Sequence, residues 1–120
     1  MTTTAKTPAP MAPFDYRPDG DAGPVFHLRG LSAGEMIDVQ AAAIYQEETE
    51  MLKWTRLSVQ MGLKKGLRGW DELLDADGQP VAFDPKDAGR NIEVLGYALS
   101  MMLFGKVIEA TNLTKDQGKN

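Results

Sequence analysis

The sequence predicts a mainly α-helical domain with a small β component, in which a short N-terminal strand precedes a helical region, a β-hairpin and an apolar C-terminal helix. A capping box marks the first helix: Ser32 is followed three residues later by Glu35, and each side chain satisfies a free backbone N–H of the first turn. Residues 35–61 contain neither proline nor glycine. Asp77-Gly78 lies between two apolar runs, a pattern typical of a hairpin turn.

The length of 120 residues fits one domain. Residues 1–23 contain four of the seven prolines together with small and polar residues, and such a segment buries too little apolar surface to offset the entropy of ordering it. We therefore predict a flexible tail at 1–23, a single domain at 24–112 and a polar tail at 113–120 that frays.

The first half of the domain is predicted to contain one strand and two helices. Pro24–Leu31 alternates in part between apolar and polar residues, which is typical of a strand. A single helix over 32–61 would be about 45 Å long, so we expect a break near Glu47–Thr49, where acidic residues cluster. The second helix would run from about Glu50 to Lys64. The buried stripe of the first helix is predicted to consist of Ile37, Ala41, Ile44 and Tyr45.

The glycines that follow are predicted to reverse the chain. Gly62, Gly66 and Gly69 would cap the second helix and form the turn after it. Strands at 73–74 and 81–83 would then flank the Asp-Gly turn of the hairpin.

The last helix is predicted to run from about Asn91 to Ala110, after an N-cap and first turn at Asp84-Pro85. It is apolar on both faces. A domain of this size has little material to cover both faces, so we expect one face to meet a partner or a second copy of the chain.

Charge is unevenly distributed along the chain. The net charge is −4 and the pI about 4.9, which argues against a general nucleic-acid binder. Residues 53–68 carry five basic residues and no acid, whereas residues 71–93 carry seven acidic residues and two basic ones. This pattern fits a solvated helix face, or else head-to-tail self-association and the steering of a charged partner. The residues predicted to steer a partner are Lys53, Arg56, Lys64, Lys65 and Arg68.

Residue types that carry catalysis or metal binding are scarce. The chain has no cysteine and a single histidine, His27, which excludes a Cys-based zinc site, a Cys nucleophile and a histidine cluster. The Asp75–Gly78 segment lacks the first ligand of a calcium loop, and the glycines of 62–69 lack the Walker spacing. We therefore predict no enzymatic activity, no cofactor and no metal site.

The most apolar stretch, at 94–104, has 11 residues, which is shorter than the roughly 20 that cross a bilayer. The N-terminal segment has one early basic residue, Lys6, and lacks the apolar core of a secretory signal. The sequence thus predicts a soluble intracellular protein with no membrane partner.

Three stretches carry a resemblance to a known family. They are Phe26–Glu35 (FHLRGLSAGE), Gly66–Phe83 (GLRGWDELLDADGQPVAF) and Leu113–Asn120 (LTKDQGKN). The most specific of them is the Gly-Leu-x-Gly-Trp segment that runs into an acidic Asp-Gly turn. In this order, over residues 24–120, the chain resembles the small tail assembly chaperones of long-tailed bacteriophages and prophages.

The resemblance implies a non-enzymatic protein of the host bacterial cytoplasm that is absent from the mature virion. Such chaperones bind the tape-measure protein, keep it soluble, help to recruit the tail-tube protein and tend to form homo-oligomers. The apolar helices would then shield amphipathic client helices. The residues predicted to contact a partner are Met51, Trp54, Leu57 and Met61 of the second helix, and Tyr97, Met101, Phe104 and Ile108 of the last.

Two other functions fit the same sequence. A structural tail or head–tail joining subunit would also be oligomeric and lack a catalytic set, but it would be present in the virion. A small regulator that binds nucleic acid through residues 53–68 is disfavoured by the acidic pI.

Overall fold

A three-stranded antiparallel sheet packed against helices organises the chain. This computed structural model describes residues 12–119, with the side chains of residues 12–112. Within that range four helices and five strands in two sheets form a small mixed α/β domain, so the prediction of a mainly α-helical chain with a small β component is wrong. In chain order the elements are β1 Pro13–Tyr16, β2 Val25–Arg29, α1 Ala33–Ala41, β3 Ile44–Gln46, β4 Met51–Lys53, α2 Arg56–Gly66, β5 Leu67–Asp71, α3 Ala88–Leu95 and α4 Tyr97–Lys119.

β2 is the middle strand of the larger sheet, which has the order β1-β2-β5. Its apolar residues Val25, Phe26 and Leu28 are buried, and Phe26 meets Trp70 of β5 edge-on with 6.2 Å between ring centroids. The strand predicted at 24–31 is therefore present, over the shorter range Val25–Arg29.

β1 lies within the segment predicted to be a flexible tail. Phe14 and Tyr16 pack against the core, and the Tyr16 hydroxyl donates a hydrogen bond to the Met102 sulfur at 3.3 Å. The edge of β2 supplies the backbone partners that order this short segment. Residues 1–11 of the predicted N-terminal tail and the side chains of the predicted tail at 113–120 lie outside the described residues.

The predicted capping box is present at the start of α1. Ser32 Oγ accepts from the Glu35 N–H, and Glu35 Oε1 accepts from the Ser32 N–H. The predicted buried stripe is wrong. Val39 is the buried residue of α1, whereas all four predicted residues are exposed, namely Ile37, Ala41, Ile44 and Tyr45.

The expected break near Glu47–Thr49 is present as the turn of the β3–β4 hairpin, not as a junction between two helices. The turn contains Glu47, Glu48 and Glu50. On a helix Glu47 and Glu50 would lie on one face and repel each other, and the flanking triplets pair as strands instead.

α2 begins later than predicted, where the Thr55 side chain accepts the Ser58 N–H. It continues directly into β5, so Gly62 and Gly66 do not form the predicted cap and turn. Both glycines lie buried against α4: an added Cβ would be 2.5 Å from Phe104 at position 62 and 2.6 Å from Val107 at position 66. They serve close helix packing rather than chain reversal.

The hairpin predicted around Asp77-Gly78 is reduced to an isolated bridge between Leu74 and Pro80. The Asp75 carboxylate holds the turn by accepting the N–H groups of Asp77 and Gln79. Pro80 has no N–H to extend the ladder, which limits the pairing.

The single helix predicted over 91–110 is two helices. Asp87 rather than Asp84 caps α3, Gly96 adopts a φ of 82°, and α4 leaves at 119° to α3. Among the described residues no single helix has the length and hydropathy of a membrane span, although α3 and residues 97–112 together reach that composition as a bent pair.

Candidate functional site

An open groove lies where the N-terminal end of α2 faces the junction of α3 and α4. It has a volume of about 450 Å³ and mainly apolar walls. Three residues that the sequence predicted to contact a partner, Trp54, Tyr97 and Met101, lie together in its lining. The remaining walls come from Thr55, Arg56, Val59, Ile92, Glu93, Gly96 and Ser100.

The corner at Gly96 shapes one wall of the groove. Its N–H donates to the Ile92 carbonyl at 2.9 Å, and its own carbonyl accepts the Ser100 N–H at 3.0 Å. The positive φ at this position favours glycine, because a Cβ there would be strained. The corner leaves Tyr97 at the start of α4 with 83% of its surface exposed.

Trp54 forms the opposing wall. It is partly buried and meets the Phe104 ring edge-on, with 5.3 Å between ring centroids. Phe104 itself is 2% exposed. Phe104 was predicted to contact a partner, but it lies in the core and supports the groove from behind, because the bend at Gly96 turns this part of α4 inward.

A charged pair lies at the rim of the groove. Arg56 Nη2 on α2 is 3.2 Å from Glu93 Oε1 on α3, and both side chains are largely exposed. Such pairs contribute about 0–1 kcal/mol, so an incoming partner can separate them at little cost. Arg56, predicted to steer a charged partner, therefore lies beside the apolar groove.

The other predicted partner contacts lie outside the groove. Met51 is exposed on β4 and Leu57 is exposed on α2. Met61 and Ile108 are partly buried against the core. The structure therefore does not gather the predicted set into one surface.

The other predicted steering residues are also separated. Lys53 lies on β4 of the exposed hairpin, and most of α2 separates it from Lys64, Lys65 and Arg68. The last three line a second concavity near the C-terminal end of α2.

Three groove residues were not predicted from the sequence, namely Ile92, Glu93 and Gly96. The available signal was Gly96 itself, because a glycine inside an apolar helical pattern marks a break. A break at that position exposes the residues on both sides of it.

His27 joins all three strands of the larger sheet. Its Nδ1 is 2.8 Å from Asp15 Oδ1 on β1, and its Nε2 is 2.8 Å from Asp71 Oδ2 on β5. The hydrogen bond with Asp15, followed by that with Asp71, raises the pKa of His27 above 6.5, because two carboxylates favour the doubly protonated ring. Among the described residues no group of three His, Cys, Asp or Glu side chains could hold a metal ion.

The groove is suited to binding apolar side chains. Tryptophan and tyrosine are common at the centre of protein interfaces, since they offer large rigid surfaces. An amphipathic helix fits such a groove, because its apolar side chains recur every three or four residues along one face.

The comparison with known proteins gives no match: no family model, no curated protein and no solved structure matches the chain.

Proposed function

We propose that the protein is a phage tail assembly chaperone that binds the tape-measure protein and keeps it soluble. The observation that carries the proposal is the open apolar groove lined by Trp54, Tyr97 and Met101. The resemblance of Phe26–Glu35 and Gly66–Phe83 to this family supplies the identity of the client. The protein would act in the host bacterial cytoplasm, help to recruit the tail-tube protein and be absent from the mature virion.

The expected mode of binding is a client helix in the groove. Tyr97 leaves most of an aromatic ring in water in the free protein. A client that covers apolar surface gains about 25 cal/mol for each Å² removed from water. The action consists of binding alone, with no chemical step.

Shielding of this kind would keep the client soluble. A long protein with amphipathic helices exposes apolar stripes until its partners cover them, and large exposed apolar patches aggregate. The groove would cover one such stripe. The exposed Arg56–Glu93 pair at its rim would separate and form ion pairs with charged residues beside the stripe. Displacement by the tail-tube protein would then release the client.

A second candidate function is a structural tail or head–tail joining subunit. The observation that favours it is the β3–β4 hairpin, whose two strands form their own sheet and whose apolar residues Tyr45 and Met51 are exposed. Unpaired strand edges of this kind add strands from neighbouring subunits. Such a subunit would remain in the finished particle.

Co-expression distinguishes the two functions. The tape-measure protein of the same phage is produced with and without this chain, and its soluble fraction and co-purification are measured. The chaperone proposal expects an insoluble client alone, a soluble complex together and no copies in purified virions. A client that neither binds nor gains solubility, with this chain present in virions at fixed copy number, would support the structural subunit instead.

A further inference from the structure

A basic cleft lies at the opposite end of α2 from the hairpin. It has a volume of about 340 Å³, and Leu63, Leu67 and Phe83 contribute apolar surface to it. Its cationic side chains are Lys64, Lys65, Arg68 and Lys86, together with Arg29. The residues that line it include no aspartate or glutamate.

Arg29 lies buried beneath the cleft, and its charge is already paired. Its side chain is 8% exposed, and it forms two hydrogen bonds with the Glu35 carboxylate, at 2.8 and 2.9 Å. The Arg29 Nε is buried and has no hydrogen-bond partner in the described part of the chain. Because this atom is closed off from solvent, a docked carboxylate does not reach it, and the exposed cations of the cleft carry the contact.

Four exposed cations of the cleft form no ion pair within 4.0 Å between residues 12 and 112, namely Lys64, Lys65, Arg68 and Lys86. Glu35 and Asp38 line a separate smaller hollow together with Lys64 and Lys65. The Glu35 carboxylate is already paired with Arg29. The cleft therefore combines an apolar floor with a positive rim.

The tip of the β3–β4 hairpin has the complementary character. Glu47, Glu48 and Glu50 are exposed in the turn and, among the described residues, none of them forms an ion pair. Behind the turn, Tyr45 and Met51 are exposed on the strands. The tip thus combines three carboxylates with apolar flanks.

We propose that the hairpin tip of one copy of the chain binds in the basic cleft of a second copy. Glu47, Glu48 and Glu50 would pair with the cleft cations, while the apolar flanks cover the floor. The hairpin joins the N-terminal end of α2 and the cleft lines its C-terminal end, about 16 Å apart by helix length. The contact is therefore head-to-tail, and such contacts form rings or open chains. The cleft and the groove share Ile92 of α3 and otherwise use different residues, and the inference holds whether or not the tape-measure protein is the client.

Sedimentation velocity of the full chain tests the contact. The wild type is expected to associate at about 50 mM salt, and its association is expected to weaken about tenfold or more at about 500 mM, because salt screens the exposed charges. The cleft variant Lys64→Glu/Lys65→Glu and the tip variant Glu47→Lys/Glu48→Lys should each sediment as a monomer. An equimolar mixture of the two variants should associate again, since each supplies the surface that the other lacks.

A matched control makes the same change in net charge away from both surfaces. Arg17→Glu reverses an exposed cation that lines neither surface and should associate as the wild type does, whereas the single cleft variant Lys65→Glu should associate more weakly. Circular dichroism checks that every variant is folded. A monomeric wild type at low salt, a mixture that stays monomeric or a control that also dissociates would overturn the proposal. Loss of client binding by the cleft variant with a monomeric wild type would assign the cleft to the client instead.

Discussion

Gly62 of α2 and Phe104 of α4 are in such close contact that no side chain fits between them. A Cβ atom at position 62 would lie 2.5 Å from Cε1 of Phe104. One helical turn further along α2, Gly66 meets Val107 in the same way. The two glycines let α4 approach α2 closely, and this approach places Phe104 in the core behind Trp54 of the groove.

Gly62→Ala should destabilise the fold. Alanine favours a helix over glycine by about 1 kcal/mol, but overpacking a core costs about 1–3 kcal/mol. The Phe104 ring that would have to shift is buried and packs against Trp54. We expect a net loss of up to about 2 kcal/mol in the free energy of unfolding, measured by urea denaturation.

Gly105→Ala is the matched control for that substitution. Gly105 lies on α4 next to Phe104, and an added Cβ there meets no atom within 4 Å. The helix propensity of alanine should stabilise the protein by up to about 1 kcal/mol. Equal effects of the two substitutions would contradict the packing described for Gly62.

Phe104→Ala should be far more disruptive than a surface substitution of an aromatic residue. Truncating a buried phenylalanine costs about 3–5 kcal/mol, because it loses burial and leaves a cavity. Tyr97→Ala removes an exposed ring and should change stability by about 0.5 kcal/mol or less. Thermal or urea unfolding of the two variants compares them directly, and a Phe104→Ala variant as stable as Tyr97→Ala would remove Phe104 from the core.

His27 should titrate with a pKa above 6.5. The chain contains one histidine, so its imidazole resonance in a proton NMR titration is unambiguous. Asp15→Asn and Asp71→Asn should each lower this pKa, because each removes one of the two carboxylates that favour the protonated ring. A wild-type midpoint at or below 6.5 would contradict the bridge between the strands.

The same bridge predicts how stability depends on pH. The pKa of His27 is raised in the folded state, so the stabilisation is complete below about 6.5 and is lost as the pH rises through the folded pKa. The unfolding free energy of the wild type should therefore fall relative to His27→Gln as the pH is raised from 6 through that value. An identical pH dependence of both proteins would show that the bridge contributes nothing.

The stabilisation from Glu35 should be lost at low pH, whereas that from His27 is lost at high pH. Arg29, followed by the Ser32 N–H, lowers the pKa of Glu35 from 4.5 to about 2. This contribution is present above 4.5 and is lost as the pH falls towards 2. Glu35→Gln should cost about 3–5 kcal/mol at pH 7, because it leaves Arg29 buried without its carboxylate. The difference from the wild type should narrow below pH 4.5, as chemical denaturation would show.

Local signals in the sequence predicted the elements that depend on local chemistry. The capping box at Ser32 and Glu35 and the apolar alternation of β2 are both present because their causes lie within a few residues. β1 was missed because its order comes from the edge of β2, which proline content does not reveal. The hairpin at 44–53 was missed because a proline-free run was interpreted as helix.

The candidate site was predictable only in part, because its shape depends on contacts between elements that are distant in the sequence. Trp54, Tyr97 and Met101 belong to apolar helical patterns, and those patterns indicated an apolar surface. Which face of α4 reaches solvent depends on the bend at Gly96 and on the glycines of α2 that receive Phe104. These are tertiary relationships, so the sequence pattern placed Phe104 at the surface when it belongs to the core.

The most direct test of the groove is the amount of tape-measure protein that co-purifies with Tyr97→Ala. The control is Ile37→Ala, which truncates an apolar residue of α1 that is 63% exposed and does not line the groove. Both variants should fold as the wild type does, so circular dichroism validates the comparison. We expect Tyr97→Ala to lose most of the soluble client and Ile37→Ala to retain it. Undiminished recovery of the client with Tyr97→Ala, in particular when combined with Met101→Ala, would contradict the groove as the binding site.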